Sequence, residues 1–170
     1  MEGLRVTLGR CTQAGGDDVN QDFDGAILPQ GFALSSKGVA VAIADGIGSS
    51  RVSQVASAAA VRTFLDDYYA TSDTWSVRRS AERVLAAVNA WLHAQNQRGD
   101  ARFDKDAGYV CTFSALVAKG RDVHLFHVGD ARIYRVHACG IEQLTDDHRV
   151  AVGGEGFLGR ALGVSAAVKI

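Results

Sequence analysis

No stretch of this 170-residue sequence approaches the roughly 20 consecutive apolar residues that a membrane-spanning helix needs. The opening "MEGLRVTLGR" contains an acidic side chain and no apolar segment of the secretory kind, so a cytoplasmic protein is expected. Neither sign of charge dominates: 18 Lys and Arg face 19 Asp and Glu, for a net charge of −1. That balance argues against a general nucleic-acid binder or a protein held on an anionic membrane. Cys11, Cys111 and Cys139 are odd in number and widely scattered, with no CxxC spacing, so neither a disulfide framework nor a structural zinc site is indicated. Internal repeats, low-complexity tracts and interdomain linkers are also missing. What remains is an ordinary globular composition, 47% hydrophobic and 22% charged, which predicts one domain over residues 1–170.

Periodicity then suggests the elements. "LRVTLGR" (4–10) and "FDGAIL" (23–28) read as strands, separated by the polar, glycine-bearing loop "GGDDVNQD" (15–22). "GVAVAIA" (38–44) is a continuous apolar strand, buried on both faces or at least central in a sheet. Ser49 or Ser50 offers an N-cap for a long helix with Val52, Val55, Ala59, Leu65 and Tyr68 along its stripe. Val77, Ala81, Val84, Leu85, Val88, Trp91 and Leu92 give a second, more clearly amphipathic helix. A charged loop follows at 96–108. After it, "YVCTFSALVA" (109–118), "DVHLFHV" (122–128), "ARIYRVH" (131–137) and "IEQLT" (141–145) read as short strands joined by hairpin signals. Strands, two helices, then an antiparallel meander predict an α+β layered protein and not a βαβ repeat.

The apolar run ends in "DGIGSSR" (45–51), whose Gly46-x-Gly48 invites a dinucleotide-binding reading. Arg51 stands where the third glycine belongs, and Asp45 would set a carboxylate against a pyrophosphate. A hard metal ion suits the residues better, because Asp45 brings an anionic oxygen and Gly46 a carbonyl with no side chain beside it. Taken alone, a strand-ending Asp-Gly turn explains the motif as well. Two further aspartates sit at strand ends, Asp22 in "NQD" and Asp130 in "HVGDAR". If their strands are neighbours, the three carboxylates can converge on one sheet edge, and oxygen-only ligands favour Mg²⁺ or Mn²⁺ over zinc. His124 and His127, three apart on a strand, point to opposite faces and cannot share a metal. His148 suggests a capping or hydrogen-bonding role. No serine or cysteine has an adjacent base that would make it a nucleophile.

In order and spacing, "NQD", "IADGIG", "HVGDARIYRV", "QLTDDH" and "RALG" resemble the metal-dependent protein phosphatase 2C (PPM) family of serine/threonine phosphatases, of bacterial type, from about residue 10 onward. The resemblance implies a four-layer α-β-β-α sandwich of two antiparallel sheets flanked by helices. It also implies two Mg²⁺ or Mn²⁺ ions, with a third in some members. Asp45 would bridge the ions, Gly46 would offer its carbonyl, Asp22 would hold the cluster directly or through water, and Asp130 would belong to the third site. The reaction implied is attack of a metal-activated bridging water on phosphoserine or phosphothreonine in a protein substrate of a serine/threonine kinase.

Three departures bear on that expectation. The family's phosphate-binding arginine, three residues before the asparagine of "NQD", is replaced by Asp17, so either another cation such as Arg51 or Arg10 substitutes or phosphate binding is weak. The histidine that some members carry after "DG" is Ile47, an apolar choice that bacterial-type members share. Finally, the "SDG"-like and "DN"-like segments that supply two more aspartates do not occur before Ile170. The resemblance therefore implies a domain lacking its C-terminal part, with little activity by itself. The alternative is a non-catalytic phosphatase-like module that binds or regulates a partner.

Overall fold

The computed structural model describes residues 4–16, 19–48, 52–98 and 108–170. Four strands form one antiparallel sheet in the order β1 (Asp22–Ile27), β2 (Val39–Asp45), β3 (Phe113–Lys119), β4 (Asp122–Val128). The short helix α1 (Gly31–Lys37) joins β1 to β2, and the long helices α2 (Ser53–Ala70) and α3 (Val77–Asn96) lie between β2 and β3. Two hairpins complete the described elements, β5 (Tyr134–His137) with β6 (Gly140–Gln143) and β7 (Arg149–Val152) with β8 (Glu155–Leu158). Antiparallel sheets flanked by helices are what the family resemblance implied, and the strand and helix order predicted an α+β layered protein.

Strand alternation decides which face is core. On β2, Ala40, Ala42 and Ala44 are buried, and with Phe113, Ala115 and Val117 of β3 they form a floor under α2 and α3. The "VAVAIA" run is central, flanked by β1 and β3. Its helix-side face is buried throughout, while its other face passes from buried Val39 through half-buried Val41 to Ile43, 45% exposed, and Asp45. Phe64 of α2 stacks with Tyr68 at 5.8 Å between ring centroids and meets Phe113 edge-on at 5.1 Å.

Helix α2 approaches the sheet closely because its inner face is built of small residues. Ser53, Ala56, Ser57, Ala60 and Val61 are buried there, whereas the expected stripe member Val55 is exposed and Ala59 only half-buried. An apolar count misses this face because two of its members are serines, whose hydroxyls are satisfied internally. Ser53 Oγ donates to the Ile47 carbonyl at 2.9 Å and Ser57 Oγ to that of Gln21 at 2.6 Å. The N-cap is Val52; Ser49 and Ser50, expected to cap, lie outside the described residues. In α3 the predicted stripe holds from Val77 to Leu92, except that Trp91 is 47% exposed and packs edge-on against Tyr109 at 6.2 Å.

The C-terminus of α2 is closed by a buried cation. Lys37 Nζ donates to the Thr71 carbonyl at 2.7 Å, to Thr71 Oγ1 at 2.8 Å and to the Ser72 carbonyl at 2.9 Å. Burial lowers the lysine pKa, and the three acceptors hold it in place. Residues 4–10, expected as a strand, have no strand partner among the described residues. Arg10 instead pairs with Asp24 of β1 (Nε–Oδ2 2.5 Å). Helix α1 and the β7–β8 hairpin, the latter turning at Gly153-Gly154, were not anticipated.

Candidate functional site

Asp45 is the last residue of β2, on the sheet face away from the helices. Its main chain is fixed by Thr112. The Asp45 N–H donates to Thr112 Oγ1 at 3.1 Å, and the Thr112 N–H donates to the Asp45 carbonyl at 2.8 Å. The next two residues continue the pairing, with the Gly46 N–H donating to Gln21 O at 3.1 Å and the Ile47 N–H to Val110 O at 2.9 Å. The carboxylate is therefore delivered by a strand end tied on both sides, and not by a free loop.

Register brings the second aspartate beside it. Asp22, first residue of β1, is the direct cross-strand partner of Asp45, so both side chains project from the same face. Asn20 Oδ1 accepts the Asp22 N–H at 3.0 Å while its Nδ2 donates to Thr12 Oγ1 at 2.7 Å, which gives the asparagine of "NQD" a structural task as an Asx turn. Like charges directly opposite each other are unfavourable. Although Asp45 stays partly open to water, lost hydration, then the negative charge of Asp22 and more distantly that of Asp130, raise its carboxyl pKa to about 6.

Asp130 acts on this pair through its charge. It follows β4 in the turn opened by Gly129, whose φ is 119°, and Arg149 Nε lies 3.8 Å from its Oδ2. Among the described residues no three His, Cys, Asp or Glu side chains gather closely enough to hold an ion by themselves. The convergence expected from the sequence is thus a close pair, Asp22 and Asp45, with a third carboxylate in electrostatic reach. That donor set is all hard oxygen with excess negative charge, which favours Mg²⁺ or Mn²⁺ over zinc.

Gly46 has a steric reason that the sequence concealed. A Cβ built on it would lie 2.3 Å from the Ser53 carbonyl oxygen, so the start of α2 occupies the space a side chain would need. Of the candidate phosphate-side cations, Arg51 lies outside the described residues, as does Asp17. Arg10 is placed: it is ion-paired to Asp24, which with Thr12, Asp22 and Ile43 lines a cleft of about 210 Å³ beside the aspartate pair. Cys111 is buried behind the site with its thiol pushed up to about 12, first by burial and then by Asp45, whereas Cys11 and Cys139 are exposed.

The histidines separate as alternation requires. His127, opposite Ser114 in the register, bonds Ser114 Oγ through Nδ1 at 2.9 Å, and its ring lies 5.0 Å from that of His148. His148 Nδ1 accepts the Gly129 N–H at 3.1 Å, the hydrogen-bonding role expected for it. Burial, then His127 and Arg160, lower its pKa against the opposing pull of Asp146. Thr112 and the Arg132–Asp147 ion pair were not singled out from the sequence. A lone threonine and common surface charges carry no local signal of their role.

The profile of the family described as Protein phosphatase 2C matches residues 14–157. A serine/threonine phosphatase, stp, from Listeria welshimeri is 29% identical over 116 residues, covering 64% of this chain and 42% of that relative. The chain thus spans less than half the length of the curated relative. Among solved structures, a bacterial serine phosphatase variant superposes with a TM-score of 0.73 at 21% identity, over 94% of this chain and 66% of the other. Serine/threonine phosphatase Stp1 from Staphylococcus aureus superposes with a TM-score of 0.67 at 18% identity, over 99% and 73% respectively. At these identities the superpositions speak to fold, and the profile match to descent. The chain belongs to the protein phosphatase 2C family.

Proposed function

We propose that this chain carries part of the active site of a metal-dependent protein serine/threonine phosphatase, which hydrolyses phosphoserine and phosphothreonine in proteins modified by a serine/threonine kinase. The observation that carries the proposal is the Asp22–Asp45 pair, two carboxylates in direct cross-strand register with Asp45 pushed up to about 6. Such a pair is electrostatically uncomfortable alone and is relieved by a divalent cation. Asp22 and Asp45, with the Gly46 carbonyl, would hold two Mg²⁺ or Mn²⁺ ions, and Asp130 would serve a third. When bound, such ions supply Lewis acidity and a water acidic enough to act as nucleophile near neutral pH.

The residues of the chain have definite tasks in this scheme. Thr112, bonded to both main-chain groups of Asp45, fixes where that carboxylate stands. Arg10, ion-paired to Asp24 of the cleft wall, would have to exchange that partner to face a phosphoryl group. Cys111, with its raised pKa, remains a thiol and is no nucleophile. Water would then attack the phosphoryl group directly, and no phosphoenzyme is required.

The test is Mn²⁺-dependent hydrolysis of p-nitrophenyl phosphate and of a phosphothreonine peptide by the intact gene product. Metal-stimulated turnover that falls by at least about a hundredfold in Asp45→Asn supports the proposal. Absence of metal-stimulated turnover, with Asp45→Asn indistinguishable from wild type, sinks it in favour of a non-catalytic phosphatase-like module.

A further inference from the structure

The Gly129–Asp130 turn is fastened by one short segment, residues 147–148. Arg132 of the "GDAR" turn forms a two-pronged ion pair with Asp147, Nε to Oδ1 at 2.7 Å and Nη2 to Oδ2 at 2.5 Å. His148 then takes both main-chain groups of Gly129: its own N–H donates to the Gly129 carbonyl at 2.8 Å, and its ring Nδ1 accepts the Gly129 N–H at 3.1 Å. Gly129 has no room to move inward, because a Cβ there would lie 2.7 Å from Thr112 Cβ. Thr112 is the residue bonded to both main-chain groups of Asp45. A contiguous path thus runs from His148 through Gly129 and Thr112 to Asp45, with Asp130 one residue along.

We propose that His148 is a positioning residue. Its unprotonated Nδ1, bonded to the Gly129 N–H, sets the conformation of the Gly129–Asp130 turn and so places the Asp130 carboxylate relative to Asp22 and Asp45. The inference rests on the reading of those aspartates as a divalent-cation site. The Gly129 bond fixes the tautomer: the neutral ring accepts at Nδ1 and carries its proton on Nε2. Arg160 Nη1, 3.4 Å from Nε2, is then a second donor facing a donor and does not hold the ring. The His127 ring, 5.0 Å away, tilted by 32° and itself tied to Ser114, limits its swing. Arg149 touches Asp130 only at 3.8 Å and is exposed, so it cannot set the backbone of the turn.

A residue that merely joined a loop to the sheet would tolerate any side chain of suitable bulk, whereas a positioning residue needs an acceptor where Nδ1 stands. His148→Asn keeps one, because the asparagine Oδ1 is as many bonds from Cα as Nδ1. His148→Gln moves the acceptor one bond further out. Without metal, amide hydrogen exchange of Gly129 measured by NMR should be faster by about fivefold or more in His148→Gln and nearly unchanged in His148→Asn, as expected for loss of one hydrogen bond. The ¹⁵N shifts of the wild-type ring should report an unprotonated Nδ1. The Mn²⁺ dissociation constant should rise in the same order, Gln well above Asn, with Asp45→Asn weakest of all. Equal Gly129 exchange in the two His148 variants overturns the proposal, as does a wild-type ring protonated at Nδ1. An Mn²⁺ affinity that falls in Asp45→Asn but not in His148→Gln also overturns it. Unchanged affinity in Asp45→Asn refutes the cation-site reading instead, and the exchange ranking then decides the role of His148 at the turn.

Discussion

Replacing Asp45 by asparagine should stabilise the metal-free protein at alkaline pH while removing its response to divalent cations. The folded-state pKa of Asp45 is about 6, above the ordinary carboxylate value of 3.8, because of lost hydration and the charges of Asp22 and Asp130. Folding therefore favours the protonated form. As pH rises from about 4 through 6 the folded state binds more protons than the unfolded one, so stability falls across that window, and the full penalty is present above it. A shift of this size corresponds to roughly 3 kcal/mol at most. Asp45 is exposed, however, and solvent screening reduces the penalty to about 1 kcal/mol. Asparagine keeps the shape and removes the charge. In EDTA at pH 8 the variant should melt roughly 2 to 4 °C higher than wild type, and the difference should shrink as pH is lowered toward 4. Added Mn²⁺ should then raise the wild-type melting temperature and leave the variant where it was. Differential scanning calorimetry over that pH range reads both effects. An Asp45→Asn protein that melts at or below wild type at pH 8 in EDTA would refute the electrostatic reasoning, whatever its activity.

Three other perturbations probe the framework around the site. Gly46→Ala should cost about 2 kcal/mol or more in urea denaturation, since its Cβ would meet the Ser53 carbonyl oxygen at 2.3 Å and α2 must shift outward; a loss below about 0.5 kcal/mol would show that the helix start yields freely. Lys37→Ala, which strips the Thr71 and Ser72 carbonyls of a buried donor, should lower stability by about 2 to 3 kcal/mol, and a neutral result would mean that water replaces the ammonium. Cys11 and Cys139 should react with a thiol reagent in the native protein while Cys111 reacts only on unfolding, and prompt labelling of all three would contradict the burial of Cys111.

The parts of the fold that could be read from residues are those carried by strong local patterns. The apolar run of β2 ends in Asp45 as anticipated, and α3 shows its stripe because its inward positions are large aliphatics. In helix α2 the large stripe members Leu65 and Tyr68 are buried as expected, but Ser53, Ala56 and Ser57 pack closely without an apolar signature and complete the buried face in place of Val55 and Ala59. The pairing of Asp22 with Asp45 depends on strand register across a helix-containing connection, and no local spacing encodes that; from sequence it could only be conditional. Residues 4–10 alternate like a strand, yet alternation cannot supply a neighbour to pair with. The β7–β8 hairpin is marked in the sequence only by the glycine-glycine turn of "VGGE", between strands of four residues each. His148 was visible as a hydrogen-bonding residue, but its partner, Gly129, is 19 positions away.

The Asp22–Asp45 pair should hold a divalent cation. Electron paramagnetic resonance of free Mn²⁺, titrated with wild type and with Asp22→Asn/Asp45→Asn at pH 7.5, addresses it without any assay of turnover. Wild type should deplete the free-ion signal saturably and the double variant should not; equal depletion by both would contradict cation binding at the pair.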